Sequence, residues 1–540
     1  MKFTFKNTLV VTAVAGMLAS CGSGFDIVSP PIENIDTTPI KTTALTEEQE
    51  KNWKDYDLQQ DTIPGMSVNR AYNEILKGKK GETVVVAVID SGIDVEHEDL
   101  DDVIWVNDDE IPNNGIDDDN NGYIDDVHGW NFLGDIVDEN LEYERIVRDK
   151  DKLPADLVAK AQKEYDEKLE QAQVAKGRYE QILQQINQVD PLLKKATGKD
   201  VYKSEDLKTV ESEDQAVQQG KQLMMFLFSQ SLESNKDAID TITELINDQA
   251  DLLNGSKLKT NYRKDILGDD PYVWDTPVYG NNEYSGPDPK KEDAFHGTHV
   301  AGIIAAERNN GLGVNGVAEN VEIMVLRAVS TADEYDKDIA KAIRYAADNG
   351  AKVINTSFGK YHSPNPEWVW EAIKYAASKD VLIVNAAGNE GIDTDFTQVY
   401  PQDQQGVGEE ISDNFLTVGA MGPEYGANMI AGFSNYGKSS VDVFGPGVKI
   451  YSTAPNSEYR FAQGTSMASP AVAGVAAVVR SYFPKLSAGQ VKQVIMESGL
   501  TTNANMTLSR SRETTKPFKE ITKSGRMANL YNALILASKM

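Results

Sequence analysis

The sequence predicts an α/β fold, a central parallel sheet flanked by helices and interrupted by an α-helical insertion. Three observations carry this. Several β-branched apolar runs are too continuous for half-exposed strands and end near Asp, Asn or Gly, the pattern of strands covered on both faces. Helix-like segments alternate with them, as right-handed β-α-β crossovers require. Between the first run and the second, roughly 130 residues rich in Gln, Glu and Lys repeat apolar positions at helical spacing.

Composition sets the outer limits. With 540 residues, 40% hydrophobic and 25% charged, the chain can bury a large core and carry an insertion or smaller units beside it. Its 84 acidic residues against 53 basic ones leave a net charge of −31, which argues against a nucleic-acid partner and for a solvated acidic surface or bound cations. A single cysteine, Cys21, excludes a disulfide within one chain.

At the N-terminus, Lys2 and Lys6 precede the apolar run TLVVTAVAGMLAS. This reads as an export signal over residues 1–20, too short to span a bilayer. Leu18-Ala19-Ser20-Cys21 resembles a bacterial lipobox, which implies cleavage before Cys21, lipid on its thiol and attachment to the cell envelope. An ordinary secreted protein with an incidental cysteine is the alternative. Residues 21–45 are polar, contain prolines and lack periodicity, so a flexible tether is expected. About 60 residues then separate Cys21 from the first strand, which leaves little room for a tether and an inhibitory pro-domain together.

The first sheet-forming part is expected over residues 46–133. Its strand is TVVVAVIDSGID, with Asp90 and Gly92 at the end. Asp90 alone reads equally as a turn carboxylate. Further strands are expected at 321–329, 351–359, 380–391 and 415–422, with a helix in IAKAIRYAADNG. In FAQGTSMASPAVAG, Ser466 precedes a run of small apolar residues. That run suits a buried helix with Pro470 in its first turn, where no N–H is needed. A serine at a helix N-terminus is either an ordinary cap or a nucleophile beside unpaired N–H groups. A base and an orienting acid would decide between them.

The base is offered by FHGTHVAGIIAA, in which His296 precedes Gly297 and another small-residue helix. The stretches VIDSGID, HGTHVAG, NAAGNEG and GTSMASP, in that order, resemble the four motif blocks of the subtilisin-like serine peptidases. The order Asp, then His, then Ser along the chain is the one that subtilisin itself exemplifies. The likeness covers residues 46–133 and 266–540 and implies a subtilisin-like fold acting as an endopeptidase on protein or peptide substrates. It implies Ser466 as nucleophile, His296 as general base and acid, Asp90 as its orienting carboxylate, and Asn389 as oxyanion donor beside the Ser466 N–H. His299, second in HGTHVAG, would be structural. Ser357, Phe358 and Gly359 would pair with substrate backbone. The side-chain pocket would lie between them and Ala386, Ala387 and Gly388, apolar and uncharged, with Val399 before Tyr400-Pro401 as its floor. Gln463 stands where many relatives have Asn. A binding protein on an inactive peptidase fold, using the insertion, is the other class of reading.

Two segments lie outside that likeness or depart from it. In NGIDDDNNGYIDDVHGWNF, five Asp residues fall within ten positions, and such crowding needs solvation or a cation. Asp117, Asp119, Asn121, the Tyr123 carbonyl and Asp125 follow EF-hand-like spacing. His128 replaces the closing Glu, and Asp126 is the compensating carboxylate. Structural calcium is one reading and a solvated acidic turn the other. Residues 134–265 are expected as the helical insertion, with Tyr165, Leu169, Ala172, Tyr179, Ile182, Leu183 and Ile186 along an apolar stripe. A decorative hairpin and a lid or exosite are both open, and the cluster Leu223 to Leu227 reads as core.

Overall fold

The computed structural model describes residues 27–33, 35–229, 232–275, 277–405, 409–508 and 514–540. The expected export signal and Cys21 lie outside them. Seven parallel strands form the sheet in the order β2-β3-β1-β4-β5-β6-β7. They are β1 (Val84–Asp90), β2 (Gly129–Asn131), β3 (Val321–Arg327), β4 (Val353–Thr356), β5 (Leu382–Ala386), β6 (Phe415–Met421) and β7 (Val443–Pro446). Both faces are covered. Along β1, Val84, Val86 and Val88 pack into one core and Ala87 and Ile89 into the other, the alternation that a doubly covered strand gives.

The order explains where a site can form. The chain leaves β1 for β3 on one side and returns to β4 on the other, so the direction of winding reverses at β1. A crevice opens beyond the carboxyl ends of strands at such a point. Asp90 ends β1, and Ser357 follows β4.

The insertion is helical: α1 (Glu142–Arg148), α2 (Ala155–Thr197), α3 (Gln215–Phe228) and α4 (Asn235–Leu253) are its main helices. At 43 residues, α2 runs about 64 Å. The insertion builds its own small core from Ile186, Leu193, Met224, Leu227 and Ile242. Met224 and Leu227 are buried as expected, whereas Phe226 points outward.

The sheet is flanked by α5 (Phe295–Ala305), α6 (Asp336–Asp348), α7 (Pro366–Ser378) and α8 (Thr465–Tyr482). Two strands that the sequence did not suggest, β2 and β7, stand at the sheet's edges. The described part of residues 21–45, expected as a flexible tether, packs instead against the C-terminal helix α9 (Leu530–Ala537). Ile32 and Ile35 are buried. Asn532 closes a paired bond with Ile32, accepting its N–H at 2.8 Å and donating to its carbonyl at 3.0 Å.

Candidate active site

Asp90, almost fully buried, accepts a hydrogen bond on Oδ1 from Nδ1 of His296 at 2.7 Å. The Ser91 N–H donates to the same oxygen at 2.7 Å. Gly297 lets the His296 helix approach: a Cβ there would lie 2.1 Å from the Gly92 carbonyl oxygen and 3.2 Å from the Asp90 Cβ. Burial disfavours the imidazolium, but the Asp90 charge and hydrogen bond outweigh it and hold the His296 pKa above its ordinary value. His296 keeps 36% of its side chain exposed, so the ring is held on one edge and open on the other. His299 differs throughout. It is fully buried, its Nε2 donates to the Ile450 and Arg460 carbonyls at 3.2 and 3.1 Å, and burial pushes its pKa down to about 4. That is a neutral packing histidine.

Ser466 is the second residue of α8. Its Oγ donates to the Ser357 carbonyl at 3.0 Å, while Ser357 Oγ donates back to the Ser466 carbonyl at 2.8 Å. The sequence explains the second bond. Pro470 lies in the second turn of α8 rather than in its first, and having no N–H it cannot serve the carbonyl four residues back. Ser357 supplies that missing donor, which ties the end of β4 to the start of α8.

Asn389 is oriented by its oxygen. Oδ1 accepts from the Thr465 N–H at 2.8 Å and from the Thr465 hydroxyl at 3.1 Å. A Cβ on Gly464 would stand 3.6 Å from both Asn389 Nδ2 and the Ser466 backbone N. The two donors therefore border one point, at the positive end of α8. Gly464 has φ 153°, a conformation that only glycine adopts readily.

Val399 comes beside Gly359, whose Cβ would lie 3.3 Å from Val399 Cγ1. It shares a cavity of about 30 Å³ with Ala386, Ala387 and Asp403. Gly388 donates its N–H to the Thr465 hydroxyl at 3.0 Å. Asp403 corrects the apolar, uncharged pocket. Burial raises its pKa to about 7, with Lys492 opposing and Glu410 and Asp442 reinforcing the rise. Phe358 faces a second cavity, of about 280 Å³, with Asp90, His296, Val329, Ser330 and Ser357. The sequence carried no sign of Asp403, a lone acid in a polar stretch.

The acidic loop holds its expected ligands in a network of turn hydrogen bonds. Asp117 accepts from the N–H groups of Asn121 and Gly122 at 3.0 and 2.9 Å, and Asp125 from those of Asn114 and Gly115, both at 3.0 Å. These two carboxylates close turns, and Asn121 Oδ1 accepts from the Tyr123 N–H at 2.7 Å. Only Asp119 joins a carboxylate cluster, with Glu110 and Asp126, their oxygens within 4.8 Å of one another.

A parallel α/β sheet with an Asp–His pair and a serine at a helix N-terminus defines the class of protein. Residues 81–514 match the Subtilase family, and the chain belongs to it. It is 46% identical over 188 residues, 34% of its length, to the "Thermophilic serine proteinase" of Bacillus sp. (strain AK1), covering 42% of that protein. It is 37% identical over 221 residues to an "Alkaline protease" of Alkalihalobacillus alcalophilus, 40% of this chain and 53% of that one. "Subtilisin Savinase" of Lederbergia lenta is likewise 37% identical over 221 residues, 40% of this chain and 75% of that one. The chain thus spans about half the length of the first two curated relatives. A solved protease structure from Pseudoalteromonas arctica PAMC 21717 aligns over 45% of this chain and 70% of its own, at 30% identity and a TM-score of 0.36.

Proposed function

We propose that the chain is a serine endopeptidase that hydrolyses peptide bonds through an acyl-enzyme on Ser466. The observation that supports this most is the convergence at the start of α8. Ser466, its own N–H and Asn389 Nδ2 meet there, and His296 is held by buried Asp90. In the reaction the Ser466 hydroxyl leaves the Ser357 carbonyl, turns to His296 Nε2 and attacks the scissile carbonyl as its proton passes to the imidazole. Asp90 stabilises the resulting imidazolium, and the oxyanion forms between the two N–H donors. His296 returns the proton to the leaving amine, then activates water to release the acyl group. The test is labelling by a serine-directed fluorophosphonate. Wild type should label and Ser466→Ala should not; folded but unlabelled wild type would sink the reading.

The envelope anchor belongs to the same proposal. Its support is the Leu18 to Cys21 sequence, and among the described residues no helix is long and apolar enough to cross a membrane. Cys21→Ser should move the protein from the membrane fraction to the soluble one, and unchanged detergent partitioning would count against lipidation. Calcium, if held, fits Glu110, Asp119 and Asp126, whose oxygen donors suit a hard cation. The backbone N–H bonds that Asp117 and Asp125 accept do not exclude them, since Glu110 and Asp119 accept such bonds as well. Bound there, the ion would cross-link the loop after β1. Excess chelator should then lower the melting temperature, and an identical melt would leave a solvated acidic loop.

A further inference from the structure

The cavity beside His296 lies between two edges of the fold. One is the loop after β3, with Val329 and Ser330; the other is the segment after β4, with Ser357 and Phe358. A neighbouring cavity of about 260 Å³ carries the first edge onward through Thr331 to Val137, which belongs to the insertion. Any extended substrate reaching Ser466 along this channel meets both edges, so their separation governs how well its backbone is held.

Both edges are fastened to the first turns of the insertion. The Thr331 N–H donates to the Val137 carbonyl at 3.1 Å. The Glu142 N–H donates to Asp333 Oδ2 at 2.7 Å, and Arg145 donates to the Asp333 and Glu334 carbonyls at 2.6 and 3.0 Å. On the other edge Lys360, directly after Gly359, donates from Nζ to Glu142 Oε2 at 2.6 Å and to the Glu334 carbonyl at 2.8 Å. Its backbone pairs with Tyr400, at 2.9 and 2.8 Å, beside Val399. Besides Lys360, which itself reaches the Glu334 carbonyl and, at 2.9 Å, the Asp336 carboxylate, one residue of the insertion touches both sides. Glu142 holds the first edge through its N–H and the second through its carboxylate, which Arg145 also grips at 2.6 Å.

We propose that Glu142 is a positioning residue for substrate, a buried clasp through which the helical insertion sets the spacing of the two channel edges. This rests on the peptidase reading and deepens it. Glu142, Arg145 and Lys360 are each at most 2% exposed, so solvent does not loosen the clasp. Burial opposes the Glu142 charge, but Arg145 and Lys360 outweigh it and keep the carboxyl below its usual pKa. A second, more exposed contact runs parallel to the first, from His362 Nε2 to Glu164 Oε2 of α2 at 2.7 Å. The insertion is in this view a fixed buttress rather than a lid, and Glu142 acts on the reaction only through the edges it joins.

The test compares substrates of two lengths on the full chain, wild type and Glu142→Gln, with active sites counted by fluorophosphonate. A tetrapeptide anilide uses the channel, whereas a single-residue ester with the same side chain at the cut does not. The variant should lose roughly tenfold or more in kcat/KM on the tetrapeptide, chiefly through KM, and no more than about twofold on the ester. Equal losses on both substrates, or an unchanged tetrapeptide KM, would overturn the proposal. If Glu142→Gln does not fold, Glu164→Gln loads the same edge from a partly exposed position, and it should show the same length dependence at roughly two- to threefold. Length-independent kinetics there would overturn the proposal equally. Wild type that does not label would remove the peptidase reading itself, and with it this one, and is told apart because it needs no variant.

Discussion

Helix α8 buries sixteen of its 18 residues, Thr465 and Met467 to Ser481, whereas the insertion's α2 buries six of 43. The first is mostly Ala, Val and Ser and lies against the sheet so closely that a Cβ on Gly445 of β7 would meet the Val472 Cγ2 at 2.9 Å. The second is a polar rod with one thin apolar stripe. Its attachment to the peptidase body is ionic. Arg263, at the exit of the insertion, grips Asp338 of α6 with two bonds of 2.6 and 2.7 Å and Asp269 with a third of 2.6 Å. At the entry, Glu142 and Arg145 do the same for Lys360 and the 333–334 carbonyls. The site therefore sits on elements that packing fixes, and the arm is joined to it by charges that are worth much only while paired.

The largest expected effect falls on the packed side. Asp90→Asn should lower kcat/KM by about 10⁴, since the imidazole loses its orienting carboxylate. It also carries a pH signature. Activity requires neutral His296, so the rate falls as pH drops through the His296 pKa, which Asp90 holds above the ordinary value. Without that charge the acid limb should move to lower pH, and a limb that stays put or moves up would contradict the assignment. On the ionic side, Arg263→Met should cost about 3–5 kcal/mol, because it strands Asp338 in a buried site with, among the described residues, only the Tyr279 hydroxyl as a remaining side-chain donor. Denaturant unfolding would measure it. A cost near zero would show that the arm is held by packing after all, and the contrast would fail.

The same division separates what the sequence showed from what it hid. Strands β1, β3, β4, β5 and β6 were legible because apolar and β-branched residues dominate each, although Glu322, Asn355, Asn385 and Gly419 interrupt the last four. The edge strands Gly129-Trp130-Asn131 and Val443-Phe444-Gly445-Pro446 were not, being short and interrupted by Gly, Asn or Pro. Asp90, His296, Asn389 and Ser466 stand in motif blocks whose small neighbours have a visible purpose. Lys360 and Glu142 are 218 positions apart, and neither differs from a surface charge until the fold closes. The acidic loop is a different case. Spacing alone cannot tell a ligand from a turn, and Glu110 lay outside the window that spacing defined. Before residue 46 the two buried isoleucines, Ile32 and Ile35, were too few to form a period.

A smaller effect would sharpen the packed side, at the proposed substrate pocket. Val399 faces Gly359 and shares its cavity with Ala386 and Ala387, so a branched side chain there shortens the space for the residue before the cut. Small to medium apolar residues should be preferred. Val399→Gly should shift the preference toward Phe and Tyr by roughly 1–3 kcal/mol in transition-state discrimination. A peptide library read as kcat/KM ratios decides it: no shift in the variant would place the pocket elsewhere.

The smallest effect should come from within the arm, and it asks how independent the arm is. Gly220 lies in α3 where that helix crosses α2, and a Cβ there would stand 2.7 Å from the Val189 Cβ. Replacing a mid-helix glycine with alanine ordinarily gains up to about 1 kcal/mol in helix propensity. Here the methyl has to push two helices apart, and overpacking of that kind costs about 1–3 kcal/mol. Because the clash is with a branch point on a helix, not with the end of a flexible side chain, the cost should exceed the gain. Gly220→Ala should therefore destabilise the arm by about 1–2 kcal/mol. Hydrogen exchange should quicken in α2, α3 and α4 and stay unchanged in α8. The fluorophosphonate labelling rate should not move, since Gly220 touches neither the site nor the clasp at Glu142. Adding Val189→Ala should restore only part of the loss, because it removes the two Cγ atoms at 3.2 Å and leaves the Cβ at 2.7 Å. Faster exchange in α8 would mean that the arm and the sheet unfold as one unit, and the opposition between the packed and the ionic region would then describe local contacts rather than two cooperative parts of the molecule.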